Sequence, residues 1–426
     1  MGRVKEKNTA EFGSDVDNSV EAPPARQRPL DGIRIVEYGL FHAGPGANAI
    51  LGDLGAEVIK IETASGDPER YWTNVAGFNL DMKNGESIIF EASNRNKKGI
   101  CLDIQHPGGR HIFNQLVEKA DVFLCNLRMS SKANLGIDYK TLSRLNPKIV
   151  YASVSGYGPH GPMQDMGAFD PLGQARSGMM FVTGSSEPKL LHLGILDQAA
   201  AITVSHALLT ALLYRERKGI GQEVHISLFS TALWMQYINL LMAGALGINP
   251  CITADRTQHS PLRNRFCCLD GKWILGTHHP DEKYWARFCE ATGQRELLGD
   301  PRYTTETGGP ADFVALNRIF DSVFDKRTRD EWMAIFQSKG LMFCPVQHIQ
   351  EVPYDAQALQ NGYIVAFDHP VQGPIKIPGY PVHFSACAAG TTAAAPQLGE
   401  HTDRILQELG YSRQDIEELK KDGAIN

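Results

Sequence analysis

Past a polar stretch, the first patterned run of the chain, Gly32 to Gly39, has β-branched residues closed by a glycine, and this pattern predicts a strand. Pro45 to Leu54 follows with helical spacing, and Ala56 to Glu62 reads as a second strand, which together predict a βαβ unit with a parallel pair. The alternation recurs. Gly99 to Asp103, Val122 to Asn126 and Ile149 to Ser155 read as strands, with helices at His111 to Ala120 and Tyr139 to Leu145 between them. A long apolar helix, Gln198 to Arg217, stops at Gly219-Ile-Gly221, and Gln222 to Leu228 returns as a strand. Such alternation predicts an α/β fold built on an open, mostly parallel sheet.

The texture changes near Cys251. Trp273 to Gly276 reads as a strand and Lys283 to Thr292, Ala315 to Asp325 and Arg329 to Lys339 as helices, so a smaller α/β domain is expected at 250–370. The large domain is then 29–249, and the segment 371–426, ending in the amphipathic helix Arg413 to Lys421, is expected to return to it. Residues 1–28 are polar, have no secretory apolar core and read as a disordered tail. Leu228 to Ile248 contains 21 residues without a charge, long enough to span a bilayer. Its Ser230, Thr231, Gln236 and Asn239, and the lack of basic flanks, favour a buried or subunit-interface helix over a membrane one.

Composition narrows the class. A chain of 426 residues, 42% hydrophobic and 21% charged, suits a two-domain soluble protein. A net charge of −6 argues against nucleic acid as partner. Eight cysteines with no C-x-x-C, two of them adjacent at Cys267 and Cys268, suit neither a disulfide framework nor zinc, and point to a reducing cytoplasm. His278-His279 has no third ligand at useful spacing, so no metal is expected.

Several motifs leave alternatives open. Gly44-Pro-Gly-Ala-Asn-Ala49 matches G-x-G-x-x-A between a strand and a helix, with Glu62 where a ribose-binding acid would stand. That suits a nicotinamide dehydrogenase, another phosphate-bearing or acyl ligand, or close packing alone. Asn94 to Lys98, and Asn126-Leu-Arg128 with Lys132, put cations beside sheet loops, as phosphate contacts or as solvated charge. Glycines between Ser153 and Gly167 permit close backbone approach to a ligand, and Asp170 after them is a helix cap or a second carboxylate. Asp197 stands where the long helix begins. It is either the N-cap or a nucleophile held ionised by the positive helix end.

A resemblance weighs on these choices. Leu30 to Val36, Ala43-Gly-Pro45, Leu54 to Glu62, Gly66-Asp-Pro68, Asn94 to Asp103, Ala120-Asp-Val122, Leu135-Gly136, Ser155 to Gly158, Arg215 to Gly219 and Leu398 to His401 resemble, in order, segments of the family III CoA-transferases. That group includes formyl-CoA, carnitine and benzylsuccinate CoA-transferases. The resemblance implies a Rossmann-like large domain, a small domain and two interlocked chains, as a homodimer or a heteromer with a related subunit. It implies Asp197 as the nucleophile, and CoA contacts at Leu102, Asn126 and Leu127, with Lys98, Arg128 and Lys132 as further CoA-binding candidates. His42, Ala43 and Asp170 are then supporting residues, the loop from Ala43 to Gly46 facing the thioester. The CoA thioester is a substrate, and no tightly bound cofactor is expected. A 2-methylacyl-CoA racemase is disfavoured, because Phe169 stands where the racemases place a proton-exchanging His. A silent partner subunit is the other alternative; Leu196, where a Gly is usual, favours it, and retention of Asp197 opposes it. For the acceptor, Arg256, Arg263 and Arg265 suggest a second-carboxylate clamp, or else contacts to CoA or a partner chain. Phe169, Trp234 and Tyr237 suggest an apolar pocket, a set that suits an acid of the benzylsuccinate kind with succinyl-CoA as donor.

Overall fold

The computed structural model describes residues 27–182, 184–191, 194–250, 255–300 and 310–426, so nearly all of the expected N-terminal tail lies outside the described residues. Six strands form the main sheet: β1 (Arg34–Tyr38), β2 (Glu57–Glu62), β3 (Lys97–Cys101), β4 (Val122–Cys125), β5 (Val150–Ser155) and β6 (Gln222–Ser227). All pairings are parallel, and the order is β3-β2-β1-β4-β5-β6. This is the doubly wound dinucleotide-fold order, whose direction reverses between β1 and β4 and opens a crevice at their carboxyl ends.

Alternation along each strand explains why both faces are covered. Ile35, Val122, Leu124, Val150, Ala152 and Val154 point to one core, packed by helices Ala43–Asp53 and Ile195–Lys218. Val36, Phe123, Cys125 and Tyr151 point to the other, packed by Pro107–Glu118, Tyr139–Leu145 and the C-terminal helices Thr402–Leu409 and Arg413–Lys421. The last segment is stitched to β3: Leu102 bridges Ile425, and the Cys101 N–H donates to Thr402 Oγ1.

A separate core, rich in aromatic rings, lies among residues 262–343. Phe266 stacks on Phe324 with centroids 4.3 Å apart, over a three-stranded antiparallel sheet of Arg265–Cys267, Trp273–Gly276 and Phe343–Val346. His278 is buried in this unit. Its Nδ1 faces the Leu262 carbonyl and its Nε2 accepts the Met342 N–H, so the ring is structural.

Two expectations change. Leu228 to Ile248 is not one buried helix but two, Leu228–Met235 and Tyr237–Leu246. Gln236 leaves helical geometry at the break, donating its side-chain amide to the carbonyls of Ser177 and Ala232. The second of these helices has no buried residue, with Trp234 before it 72% exposed and Ile238 within it 71%. The long helix also begins at Ile195, three residues before its expected start, which moves Asp197 inside the first turn.

Candidate active site at the sheet crevice

The N-cap position of helix Ile195–Lys218 is Gly194, in the left-handed conformation at φ +71° and without a side chain to cap anything. Asp170 does that work from another helix. Its Oδ2 accepts the N–H of Leu196 at 2.6 Å and of Asp197 at 3.1 Å, and its Oδ1 accepts the Gln174 amide. Gln174 in turn accepts the Leu191 N–H, tying down the approach to the helix. The capping role expected of Asp197 therefore belongs to Asp170, which leaves the Asp197 carboxyl unspent at the positive helix end. Burial, then the neighbouring Asp170 charge, push Asp197 up to about 7.

Leu196, the departure noted in sequence, is fully buried and fills the space above Gly173, where a Cβ would lie 2.5 Å from its Cδ2. Leucine here is accommodated by a facing glycine.

The loop after β1 crosses the crevice and carries Phe41, His42 and Ala43. Phe41 sits at φ +58°, unusual for a bulky side chain. Its N–H donates to Asp67, and the Leu40 backbone is gripped on both sides by Asn126, which accepts the Leu40 N–H at 2.9 Å and donates to its carbonyl at 2.6 Å. Asn126 thus joins the ends of β1 and β4 at the switch point. Beneath the loop lies a buried ionic cluster. Lys60 donates to Glu37, Asp67 and the Gly39 carbonyl; Lys97 donates to Glu37, Asn94 and the Pro45 carbonyl. For Lys60, burial favours the neutral amine, but Asp67 and Glu37 outweigh it and hold the ammonium above its usual range; burial wins for Lys97, brought down to about 8.

His42 faces both ways. Its Nδ1 lies 2.6 Å from Ser93 Oγ and its Nε2 2.8 Å from Gln198 Oε1, one residue beyond Asp197. Burial keeps its pKa below the usual imidazole value. Ala43 is buried at the start of the first helix. Phe41, Trp72 and Phe169 form an aromatic cluster, with centroids 5.0, 5.2 and 5.8 Å apart, and Phe169 directly precedes Asp170.

His42, Asp170 and Asp197 come together; the candidate cations do not. Lys98 pairs with Glu57 and, at 3.8 Å, Glu408, so the phosphate contact expected of it has no free ammonium. Lys132 is buried and donates to Ser153, its pKa lowered by that burial. The Arg128 guanidinium lies under Gly167, where a Cβ would stand 2.8 Å away, and faces Asp165. Leu102 is wholly buried, its N–H on the Glu62 carbonyl, while Leu127 packs half-buried on the second core.

The dinucleotide fingerprint is also resolved. Glu62 is buried and holds Arg70 through two hydrogen bonds at 2.8 and 2.7 Å, so no ribose can use it, and the dehydrogenase reading loses its acid. Gly44 and Gly46 serve packing: a Cβ would meet Leu124 at 3.0 Å and Ala201 at 3.2 Å, respectively. In the proposed acceptor clamp, Arg256 is committed to Asp321 at 2.7 Å, and Arg263 leans on His279 and Asp281. Sequence reasoning missed Ser93, Gln198, Glu69 and the Glu37–Lys60–Lys97 cluster. Gly66-Asp-Pro68 was visible as a motif, but two of the partners of Asp67, the Phe41 N–H and the Lys60 ammonium, come from outside its own turn.

The family model for CoA-transferase family III matches residues 30–402. An acyl-CoA transferase of Fusarium pseudograminearum is 32% identical over 419 residues, covering 96% of this chain and 90% of its own. Succinyl-CoA:glutarate CoA-transferase of Mus musculus is 32% identical, covering 93% and 90%. Cinnamoyl-CoA:phenyllactate CoA-transferase of Clostridium sporogenes is 30% identical, covering 92% and 96%. Among solved structures, a CAIB/BAIF family protein from Brucella suis superposes with a TM-score of 0.79 at 27% identity, covering 90% of this chain and all of that one. With the crevice, the carboxylate pair and these likenesses in agreement, the chain belongs to CoA-transferase family III and is a CoA-transferase.

Proposed function

We propose that the enzyme moves CoA from an acyl-CoA donor to a carboxylic acid through covalent intermediates on Asp197. The observation that carries this reading is the Asp197 carboxyl itself, left unspent at a helix N-terminus because Asp170 takes the cap. Exchange of CoA between two carboxylic acids turns one thioester into another and is nearly thermoneutral, so the enzyme's task is kinetic, and covalent catalysis divides it into easier steps. An Asp197 oxygen attacks the donor thioester carbonyl; the C–S bond breaks, leaving a mixed anhydride and CoA thiolate. The thiolate attacks the aspartyl carbonyl, releases the donor acid and forms an aspartyl-CoA thioester. The acceptor carboxylate attacks that thioester and expels thiolate again. Thiolate then attacks the acceptor's acyl carbonyl, giving the new acyl-CoA and free Asp197. Each tetrahedral oxyanion needs N–H donors. Ala43 to Gly46, expected as a loop, is the first turn of helix Ala43–Asp53, where Pro45 has no N–H and the Gly46 N–H is held by the His42 carbonyl. The donors in this reading are therefore the N–H groups of Ala43 and Gly44 and His42 Nε2.

Asp197→Asn should cut turnover by at least about a thousandfold while the fold is kept, since the amide is nearly isosteric but a far poorer nucleophile. Hydroxylamine added during turnover should mark Asp197 as a hydroxamate. Full activity of the variant, or a label only elsewhere, would sink the assignment. The racemase alternative predicts α-deuteration of a 2-methylacyl-CoA in heavy water; with Phe169 before Asp170, none is expected.

For substrates, we propose succinyl-CoA as donor and a dicarboxylic or aryl-substituted acid as acceptor. Support comes from the relatives named for succinyl-CoA:glutarate and cinnamoyl-CoA:phenyllactate exchange, and from the aromatic cluster beside Asp170. With Arg256 committed to Asp321 and Arg263 leaning on His279 and Asp281, the carboxylate clamp forms no part of this proposal. Assaying glutarate, benzylsuccinate, phenyllactate and acetate against succinyl-CoA tests this; a preference for acetate would reject it. We further propose that a second copy of the chain covers the exposed apolar helices Leu228–Met235 and Tyr237–Leu246.

A further inference from the structure

The carboxyl ends of β1 and β4 part at the crevice, and one side chain spans the gap. Tyr38 and Cys125 are the last paired residues of the two strands. Asn126, the next residue, then puts a primary amide where a further strand residue would offer a peptide group. Its Oδ1 accepts the Leu40 N–H at 2.9 Å, and its Nδ2 donates to the Leu40 carbonyl at 2.6 Å. We infer that Asn126 is a positioning residue for the reaction: its amide holds the Leu40–Phe41 backbone in the conformation that presents the N–H groups of Ala43 and Gly44 to the crevice. The inference rests on the reading of those two groups as oxyanion donors. It gives Asn126 a task other than the CoA contact that the resemblance implies.

The argument is an account of the loop's polar groups. The Gly39 carbonyl accepts the Lys60 ammonium at 2.8 Å, the Phe41 N–H donates to Asp67 at 3.3 Å, and the His42 carbonyl accepts the Gly46 N–H at 2.6 Å. Between them, Leu40 is held through both its N–H and its carbonyl, and both depend on one side chain. Ala43 and Gly44 then open helix Ala43–Asp53, where first-turn N–H groups have no partner within the helix, and His42 at the N-cap makes no side-chain bond to them.

The grip matters because the backbone it holds is strained. Phe41 sits at φ +58°, a conformation that a residue with a Cβ leaves unless its surroundings hold it there. Glycine would adopt it freely, but would lack the ring that packs 5.0 Å from Trp72 and 5.2 Å from Phe169. Gly39 and Gly44 admit the Asn126 side chain, since a Cβ on the first would stand 3.3 Å from its Oδ1 and one on the second 3.5 Å from its Cβ. Without the amide, Phe41 relaxes to negative φ, and that rotation, one residue before His42, turns the first helical N–H groups away from the crevice.

The test separates held strain from CoA contact. In full-length protein, assayed with the wild type's fastest acceptor, Asn126→Ala should lower kcat about a hundredfold through misplacement of the donors. It should leave the calorimetric affinity for free CoA unchanged and speed deuterium uptake by the peptide carrying Leu40 and Phe41. Asn126→Asp keeps the size but turns an acceptor on the Leu40 carbonyl, so it should do no better than Asn126→Ala. The decisive comparison uses Phe41. Phe41→Ala and Phe41→Gly both remove the ring, but only glycine takes φ +58° freely. Adding Asn126→Ala should therefore cost much less kcat in the Phe41→Gly background than in the Phe41→Ala background. Equal costs in the two backgrounds, a loss of CoA affinity that matches the loss of kcat, or wild-type kcat in Asn126→Asp overturns the inference. Faster uptake in Asn126→Ala with kcat intact would instead remove the Ala43 and Gly44 N–H groups from the mechanism and leave the hold on the loop standing.

Discussion

At the scale of single residues, two neighbouring carboxyls have been given different tasks by their partners. Asp170 accepts three hydrogen bonds and caps a helix; Asp197 accepts none of those and is destabilised as an anion by burial and by Asp170. As the proposed nucleophile Asp197 must be ionised, so kcat/KM should rise with pH through about 7. Removing the Asp170 charge lowers the Asp197 pKa, and Asp170→Asn should move this acid limb to lower pH. An unmoved limb would mean the titrating group is not Asp197. Glu69 makes a separate mark on stability. Its folded value near 8 lies above the unfolded 4.5, so the stability it contributes is whole below pH 4.5 and is lost as pH rises through 8. Between pH 5.5 and 8.5, Glu69→Gln should gain on the order of 1–3 kcal/mol relative to wild type in urea titrations. No gain would show that the carboxyl ionises freely.

At the scale of elements, the loop from Gly39 to Ala43 is held from below. Glu37 faces two buried ammonium groups, and through them the carbonyls of Gly39 and Pro45 are fixed under His42. Glu37→Gln leaves Lys60 and Lys97 with one fewer anion in a site sealed from water. A loss of about 3–5 kcal/mol in unfolding free energy is expected, with His42 displaced. The packing of the first helix on the long one depends on Gly46, whose missing Cβ leaves 3.2 Å to Ala201 and 3.3 Å to His42 Nε2. Gly46→Ala should cost about 1–3 kcal/mol by overpacking and lower kcat more than it raises KM, because the displaced group is the imidazole. Thermal unfolding with steady-state kinetics checks both.

For the whole molecule, the exposed faces of helices Leu228–Met235 and Tyr237–Leu246 set the expectation. Trp234, Tyr237, Ile238, Leu241 and Leu246 are all more than half exposed and lie in one short stretch of chain. A contiguous apolar surface of this kind marks an association site. Trp234→Glu with Ile238→Glu should convert a dimer into a monomer in sedimentation velocity at micromolar concentration; a wild-type monomer there would reject the proposed second copy.

The repeating βαβ architecture was legible before any coordinates, because it rests on patterns local to each segment: Val122 to Cys125 is a continuous apolar run, and Val150 to Ser155 is apolar but for its two serines, as suits a sheet buried on both faces. Asp197 was legible as one of two things, since a carboxylate at the start of an apolar helix is visible in the chain. That the cap is supplied by another residue depended on Asp170, 26 residues away from Leu196 in sequence and in contact with it only after folding. Glu62 and Lys98 had the residue types for a ribose acid and a phosphate cation, and the fold gave them Arg70 and Glu57 as partners instead. The uncharged stretch from Leu228 to Ile248 carried the composition of a buried helix, but burial is a property of what packs against it, and Gln236 reaching Ser177 breaks it in two. Local spacing encodes which elements form; which charges are already neutralised, and which remain for chemistry, is decided by contacts between segments that local spacing does not record.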